Sequence, residues 1–297
     1  MALTFDFPYF YLMSGSILLV SDVHADIQAL DDILAIAYSG DFSKRYGPLK
    51  KILNLGDLLE RGYHPREVVE RLKKLNVESV IGNHEEAFLF SRPISTPDAK
   101  SLVAHRDYRA SGEYGDFFEG MPKTIIDRSM LLFAAHGGPL DQSSLVSANV
   151  GDGAWTFSPT WQRISEAGRS YAASDGYHYL PDEAFAEVKA VFKRDGFIIV
   201  CGHDHKEVVY RQKNGVVNNV LAGLEEHIID LGGRRVREKR LDIEDDSNYL
   251  IRIGIAGPEG YLPRGWMDRS YFGVIERKDG RRTFYLLSFD RQQRDNL

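Results

Sequence analysis

The stretch "VIGNHEEAF", residues 80–88, follows the apolar run "VESVI" and then sets an amide, an imidazole and two carboxylates side by side after Gly82. A short β-branched run that stops on glycine reads as a buried strand ending in a sharp turn. Asn83 and His84 therefore stand at a strand end, where polar side chains meet ligands rather than core. The same grammar recurs along the chain. "SILLVSD" (16–22), "KILNLGD" (51–57), "MLLFAAHGG" (130–138) and "GFIIVCGHDH" (196–205) are apolar runs that close on Asp or His, most with a neighbouring glycine.

Helical patterns lie between these strands. After Asp26, a candidate N-cap, Ile27, Leu30, Ile33, Leu34 and Ala37 recur at helical spacing. Pro65 opens "REVVERLKKL", with Val68, Val69, Leu72 and Leu75 on one face, and "DEAFAEVKAVF" turns Phe185, Val188, Val191 and Phe192 inward. The alternation predicts an α/β fold. Shorter β-rich segments follow, including "YFGVIE" and "TFYLLSF" joined by the turn "RKDGRR". No repeat or low-complexity linker divides the chain, so a single domain is expected from 16 to 297, preceded by an aromatic N-terminal arm, 1–15.

Composition narrows the function classes. The chain has 297 residues, 43% hydrophobic and 27% charged, as in an ordinary soluble globular protein. A net charge of −6 and a pI near 5.9 argue against a strong nucleic-acid surface. The basic run "GGRRVREKR" (232–240) is followed at once by acidic "DIEDD" and reads as a solvated strand or hairpin. The lone Cys201 excludes an internal disulfide framework and a thiolate zinc finger, and a reducing cytoplasm is the expected compartment. Residues 1–16 carry Asp6 and Pro8, lack the basic start of a signal peptide and are too short to span a bilayer; no membrane contact is expected.

The strand ends together present Asp22 and His24, Asp57, Asn83 with His84, His136, and His203 with His205. Strand termini at one sheet edge converge, and open α/β sheets bind ligands beyond their carboxyl ends. Imidazole and carboxylate suit Zn, Fe, Mn or Ni, hard oxygen donors shift the balance toward Mn, and soft thiolates are absent. A carboxylate can bridge two ions, whereas Asn donates a neutral oxygen. Two divalent cations outweigh two aspartates and one bridging hydroxide, and the net positive site suits phosphate.

"SDVHAD", "LGDLLERG", "IGNHEE", "AAHGG" and "CGHDH" resemble, in order, the five motifs of the calcineurin-like metallophosphoesterase superfamily, from about residue 16 to 206. The tail "IAGPEGYLPRGWMDRSYFGVIE" resembles the segment that closes its small bacterial phosphodiesterase-like branch. The resemblance implies two mixed β-sheets packed as a sandwich flanked by helices, a four-layer αββα fold. It implies that Asp22, His24 and His205 hold one metal, that Asn83, His136 and His203 hold a second, and that Asp57 bridges them. The cofactors implied are two divalent ions, with Mn foremost and Fe, Zn, Ni, Co or Mg as alternatives. A hydroxide bridging the two would attack phosphorus, with His84 protonating or stabilising the leaving oxygen and Glu85 or a neighbouring acid orienting it. The expected partner is a small-molecule or nucleotide phosphoester, a diester being slightly favoured.

Arg61 in "GDLLERG" resembles instead the arginine of the phosphoprotein phosphatases and diadenosine tetraphosphate hydrolases, which grips phosphoryl oxygens; those activities are the alternative. A non-catalytic scaffold of the same fold would be expected to lose a ligand or the proton donor, and all eight positions are present here. Structural roles are expected for Asp26 and Glu86, and a helix-start surface role for His64. Residues 139–180, carrying Trp155, Trp161, Tyr171, Tyr177, His178 and Tyr179, exceed what the small bacterial branch needs and read as a candidate substrate-facing lid, with packing across the sandwich as the alternative.

Overall fold

Strand β1 (Gly15–Val20) is buried along its whole length, and its side chains divide between two cores. Leu18 and Val20 point one way and Ile17 and Leu19 the other, as the two-residue period of a strand dictates. The computed structural model describes residues 14–92, 99–145, 151–172, 175–262, 265 and 267–291. All but the end of the expected N-terminal arm lies outside them.

One sheet is built on β1, β2 (Leu49–Asn54), β3 (Glu78–Ser79), β12 (Glu226–Leu231), β13 (Arg234–Ile243), β15 (Arg269–Lys278) and β16 (Arg281–Asp290), in the order β12-β13-β16-β15-β1-β2-β3. β1, β2 and β3 are parallel and the remaining pairs antiparallel. The second sheet contains β4 (Thr124–Asp127), β5 (Leu132–Ala135), β9 (Ile198–Cys201), β10 (Glu207–Lys213), β11 (Val216–Asn219) and β14 (Ser247–Ile253), ordered β11-β10-β14-β9-β5-β4. Its centre, β14-β9-β5, is parallel.

Three apolar layers hold these sheets. Leu19, Leu53, Ile198, Val200, Ile251, Phe284 and Leu286 pack between them. α1 (Ile27–Ala37), α2 (Gly40–Tyr46) and α3 (Pro65–Lys74) cover the outer face of the first sheet with Leu30, Ile33, Phe42, Val68 and Leu72. α8 (Pro181–Phe192) covers the second with Phe185 and Val188, against Phe133, Ile199 and Cys201. The order helix, sheet, sheet, helix is the four-layer arrangement expected. Cys201 is fully buried, and burial pushes its thiol up to about 12, so it is an inert core residue.

Local chemistry shapes the turns. Asp26 caps α1 by accepting from Ala29 N at 2.9 Å. Asp279 and Gly280, at φ +50° and +78°, form the two-residue turn between β15 and β16 and take the positive dihedrals such a hairpin requires. The basic run 232–240 forms most of β13 in a hairpin with β12; Val236 turns into the core, while Arg237 pairs with Asp290 at 2.8 Å.

Two expectations need correction. "VESVIGN" is paired as a strand only at Glu78–Ser79, because Ile81 N leaves the ladder to donate to Pro122 O at 3.0 Å. The ligand-bearing strands also do not share one sheet edge: β1, β2 and β3 belong to the first sheet, β5 and β9 to the second. The polar ends meet because the parallel centres of both sheets end on the same side of the sandwich.

The remaining helices are α4 (Asn83–Phe90), α5 (Ala99–Ser111), α6 (Gly115–Glu119) and α7 (Gln142–Leu145). Between β5 and α8 the chain forms a 3₁₀ segment, Gly151–Phe157, and a small sheet of β6 (Arg163–Ile164), β7 (Ser170–Ala172) and β8 (Gly176–Tyr179). Residues 146–150 and 173–174 of the expected lid lie outside the described residues.

Candidate metal centre

Three of the five ligand-bearing loops, those after β1, β2 and β9, turn in a backbone region that side chains other than glycine seldom adopt. Asp22, His24, Asp57, His203 and His205 have φ between 47° and 71°, as do Ala25, Glu60 and Arg61 beside them. Such outliers cluster where surrounding structure enforces them, commonly at functional sites. The neighbouring glycines are steric necessities. A Cβ on Gly82 would run into the carboxylate and backbone nitrogen of Asp57, and one on Gly202 into Ser21 and the Asp22 carboxylate.

The eight side chains converge. Asp22, His24, Asp57 and His205 bring one ligand atom each within 4.8 Å of one another, and so do Asp57, His136 and His203. Asp57 belongs to both groups. His24 Nε2 lies 2.9 Å from His205 Nε2 and 3.8 Å from Asp57 Oδ2; His205 Nε2 lies 3.3 Å from Asp22 Oδ1. In the second group His136 Nε2 is 3.3 Å from Asp57 Oδ2.

Asn83, at the first position of α4, completes that group. Its inward amide atom lies 2.9 Å from His203 Nδ1, 3.0 Å from His136 Nε2 and 3.1 Å from Asp57 Oδ2. Turning the amide nitrogen inward would satisfy these neighbours by hydrogen bonds alone. With the oxygen inward, it stands with Asp57 Oδ2, His203 Nδ1 and His136 Nε2 around one point, a set that a cation satisfies once the His136 proton has left. The donor set therefore fits divalent metal.

The outer contacts set the imidazoles for that task. His24 Nδ1 donates to Leu59 O at 3.0 Å and His136 Nδ1 to Leu55 O at 2.6 Å, so each Nε2 points inward. Burial, with His205 and His84 adding to it, lowers the His24 pKa to about 3 and keeps that ring neutral. Burial also pulls His203 well down, with Arg163 and His136 acting in the same direction. His136 behaves oppositely: burial disfavours its charge, but Asp57 outweighs burial and raises it to about 9. Burial would raise Asp57, yet the surrounding imidazoles hold it well below the ordinary carboxylate value.

A family model described as calcineurin-like phosphoesterase matches residues 15–207, a span that contains every one of these ligands. The chain belongs to the calcineurin-like phosphoesterase family. It is a metallophosphoesterase with an intact buried His/Asp cluster of the kind typical of a dinuclear site. An uncharacterised protein of Methanocaldococcus jannaschii is 25% identical over 281 residues, 94% of this chain and 90% of its own length. A hypothetical protein from Pyrococcus horikoshii shares the fold, with a TM-score of 0.52 at 13% identity over 95% of this chain and 89% of that one. A metallophosphoesterase from Sphaerobacter thermophilus is 22% identical, with a TM-score of 0.49 over 91% and 87% of the two chains.

In this phosphoesterase His84, the histidine to which the resemblance assigns proton chemistry, stands beside an acid not named from the sequence. His84 Nε2 lies 3.7 Å from Asp57 Oδ2, and its Nδ1 lies 2.8 Å from Glu60 Oε2. Glu85 instead accepts from the backbone nitrogens of Asp57, Leu58, Leu59 and Gly82 at 2.8–3.2 Å and fixes the Asp57 turn. The acid beside the His84 ring is therefore Glu60, one residue before Arg61 in "GDLLERG". Burial would lower the His84 pKa, but Asp57 and Glu60 together raise it.

Other expected residues fall as follows. Asp26 and Glu86 are buried structural groups: Asp26 also accepts from Arg291 at 3.0 Å, and Glu86 from Thr160 at 2.5 Å and Lys123 at 2.9 Å. His64 stands at the start of α3 beside Glu67, 3.4 Å away. Arg61 is half-buried, close enough to His84 for its charge to oppose that group's protonation. Tyr261, not singled out from sequence, packs edge-on against His24 and His205, at 6.2 and 5.2 Å between ring centres. Trp161 does the same to His203 at 6.2 Å. Among the described residues no helix is long and apolar enough to cross a membrane.

Proposed function

We propose that this metallophosphoesterase hydrolyses a phosphoric ester of a small molecule or nucleotide, with diesters favoured and manganese as the preferred metal. The observation that carries the reading is the sharing of Asp57 between two donor groups. Asp22, His24 and His205 would hold one cation with Asp57, and Asn83, His136 and His203 the other. Two divalent cations held there would supply Lewis acidity toward phosphoryl oxygen and an activated water at neutral pH. Aspartate, asparagine and imidazole donors without thiolate support manganese.

The chain's own chemistry centres on His84. Glu60 stands 2.8 Å from Nδ1 and favours a protonated ring, which leaves Nε2 on the Asp57 side of the cavity as the atom that would give up a proton. That proton serves a departing alkoxide, which a diester of a poor leaving group requires. Arg61, half-buried next to His84, supports a phosphoryl clamp and keeps a second reading open, a protein phosphatase or diadenosine tetraphosphate hydrolase.

Chelation is expected to abolish hydrolysis of a nitrophenyl phosphodiester, and Mn²⁺ to restore it better than Ca²⁺. Full turnover by demonstrably metal-free protein overturns the reading. Asp57→Asn should lose metal and rate together. A panel holding a nucleotide diester, diadenosine tetraphosphate and a phosphopeptide separates the two readings, since a clear preference for the phosphopeptide would overturn the first.

A further inference from the structure

The chain between β5 and α8 touches three of the ligand-bearing loops. Thr160 Oγ1 and Ser158 Oγ donate to Glu86 at 2.5 and 3.5 Å, three residues after Asn83 in α4. Lys123 Nζ joins Glu86 and Ser158 at 2.9 and 2.8 Å. Pro159 O accepts from both Gly137 N and Gly138 N at 2.9 Å, directly after His136, and Tyr179 Oη donates to Gly137 O at 3.1 Å. Trp161 lies edge-on to His203, and Arg163 pairs with Asp204, the next residue.

The loop of Asp22 and His24 is braced by other parts of the chain. Ala256 N donates to Ser21 O at 2.9 Å, Gly257 N to Asp22 O at 3.0 Å and Glu259 N to Asp26 Oδ2 at 3.1 Å. Arg291 closes the set on Asp26. The Asp204 turn, which Arg163 grips, carries His203 and His205 and so is common to both halves of the centre, but the hydroxyl groups of Thr160 and Tyr179 serve one half only.

We infer that the insertion is a clasp for one half of the metal centre: by bracing the chain around Asn83, His136 and His203, it sets how tightly the second donor group retains its cation. Thr160 and Tyr179 are positioning residues; they act through Glu86 and Gly137 and touch no ligand atom. Contacts made directly to a ligating group change metal affinity by about ten- to a hundredfold when removed, and these act one step further out, so the lower end of that range applies. The inference rests on the two-cation reading of the site.

The test is a calorimetric titration of the metal-stripped, full-length chain with Mn²⁺. Asn83→Ala identifies the binding step of the second group, because Asn83 lies in that group alone. The double variant Thr160→Val, Tyr179→Phe should weaken the same step about tenfold and leave the other unchanged, with each single variant giving a smaller shift in that step. Both steps at wild-type affinity, with only the melting temperature lowered, would reduce the insertion to packing and overturn the inference. Equal weakening of both steps overturns it too. The readout is binding, so a protein that takes up two cations but leaves phosphoesters untouched would defeat the proposed function and not the clasp.

Discussion

At His84 in the metal-free protein, burial opposes the charge that Asp57 and Glu60 both favour, and the carboxylates prevail. A nitrophenolate departs with little help, whereas an alkoxide needs a proton. His84→Asn should therefore keep both metals and slow a nucleotide diester far more than a nitrophenyl ester, since general-acid help is typically worth ~10²- to 10⁴-fold. Equal slowing of both substrates would withdraw the proton-donor role. Glu60→Gln removes one group that raises His84, so the alkaline limb of the diester pH–rate profile should move to lower pH; an unmoved limb would deny Glu60 that part. His136 gives a second pH effect with a definite sign. Its folded pKa is raised from 6.5 to about 9, so in the metal-free protein its pairing with Asp57 stabilises fully below 6.5 and is lost as pH rises through 9. A cation must displace the same proton. Mn²⁺ affinity should accordingly climb with pH across that window, with proton release detectable in weakly buffered titrations.

The turns that carry the ligands are rigid because of what lies behind them. Glu85 gathers four backbone N–H groups from two separate strand ends, which makes α4 and the Asp57 turn one unit. An amide in its place offers one acceptor oxygen and faces donors with a donor. Glu85→Gln should thus cost about 1–3 kcal/mol for each N–H left unsatisfied, read by chemical denaturation, and should weaken metal binding as well. Gly82→Ala has a different signature. The added Cβ would overlap the Asp57 carboxylate, so Mn²⁺ binding should fall while the far-ultraviolet circular dichroism remains that of the parent. Normal metal content in that variant would mean the turn can yield where the packing says it cannot.

Across the molecule, the centre joins two sheets that also meet through an apolar layer and through Arg277 and Arg282 on the carbonyls of Ser129 and Met130, with Asp22, Asp57 and Asn83 reached from one and His136, His203 and His205 from the other. Metal should therefore behave as a staple for the sandwich. The thermal midpoint should rise with Mn²⁺, since a cation at a hundredfold its dissociation constant adds about 2.7 kcal/mol per site, and chelation should reverse the gain. A midpoint independent of metal would contradict the joining of the sheets through the site. Helix periodicity, apolar strand runs and the glycine-flanked Asp, Asn and His at their ends were all legible in one dimension, because each is a pattern within a few residues. That sufficed for the layers of the fold and for Asp22, His24, Asp57, Asn83, His136, His203 and His205 as a set. The allocation of strands to two sheets, the pairing of His84 with Glu60 rather than Glu85, and the attachment of the insertion to Glu86 and Gly137 were not. These depend on which distant groups become neighbours once the apolar layers close, and a buried carboxylate takes its partner from three-dimensional proximity, for which sequence spacing holds no code.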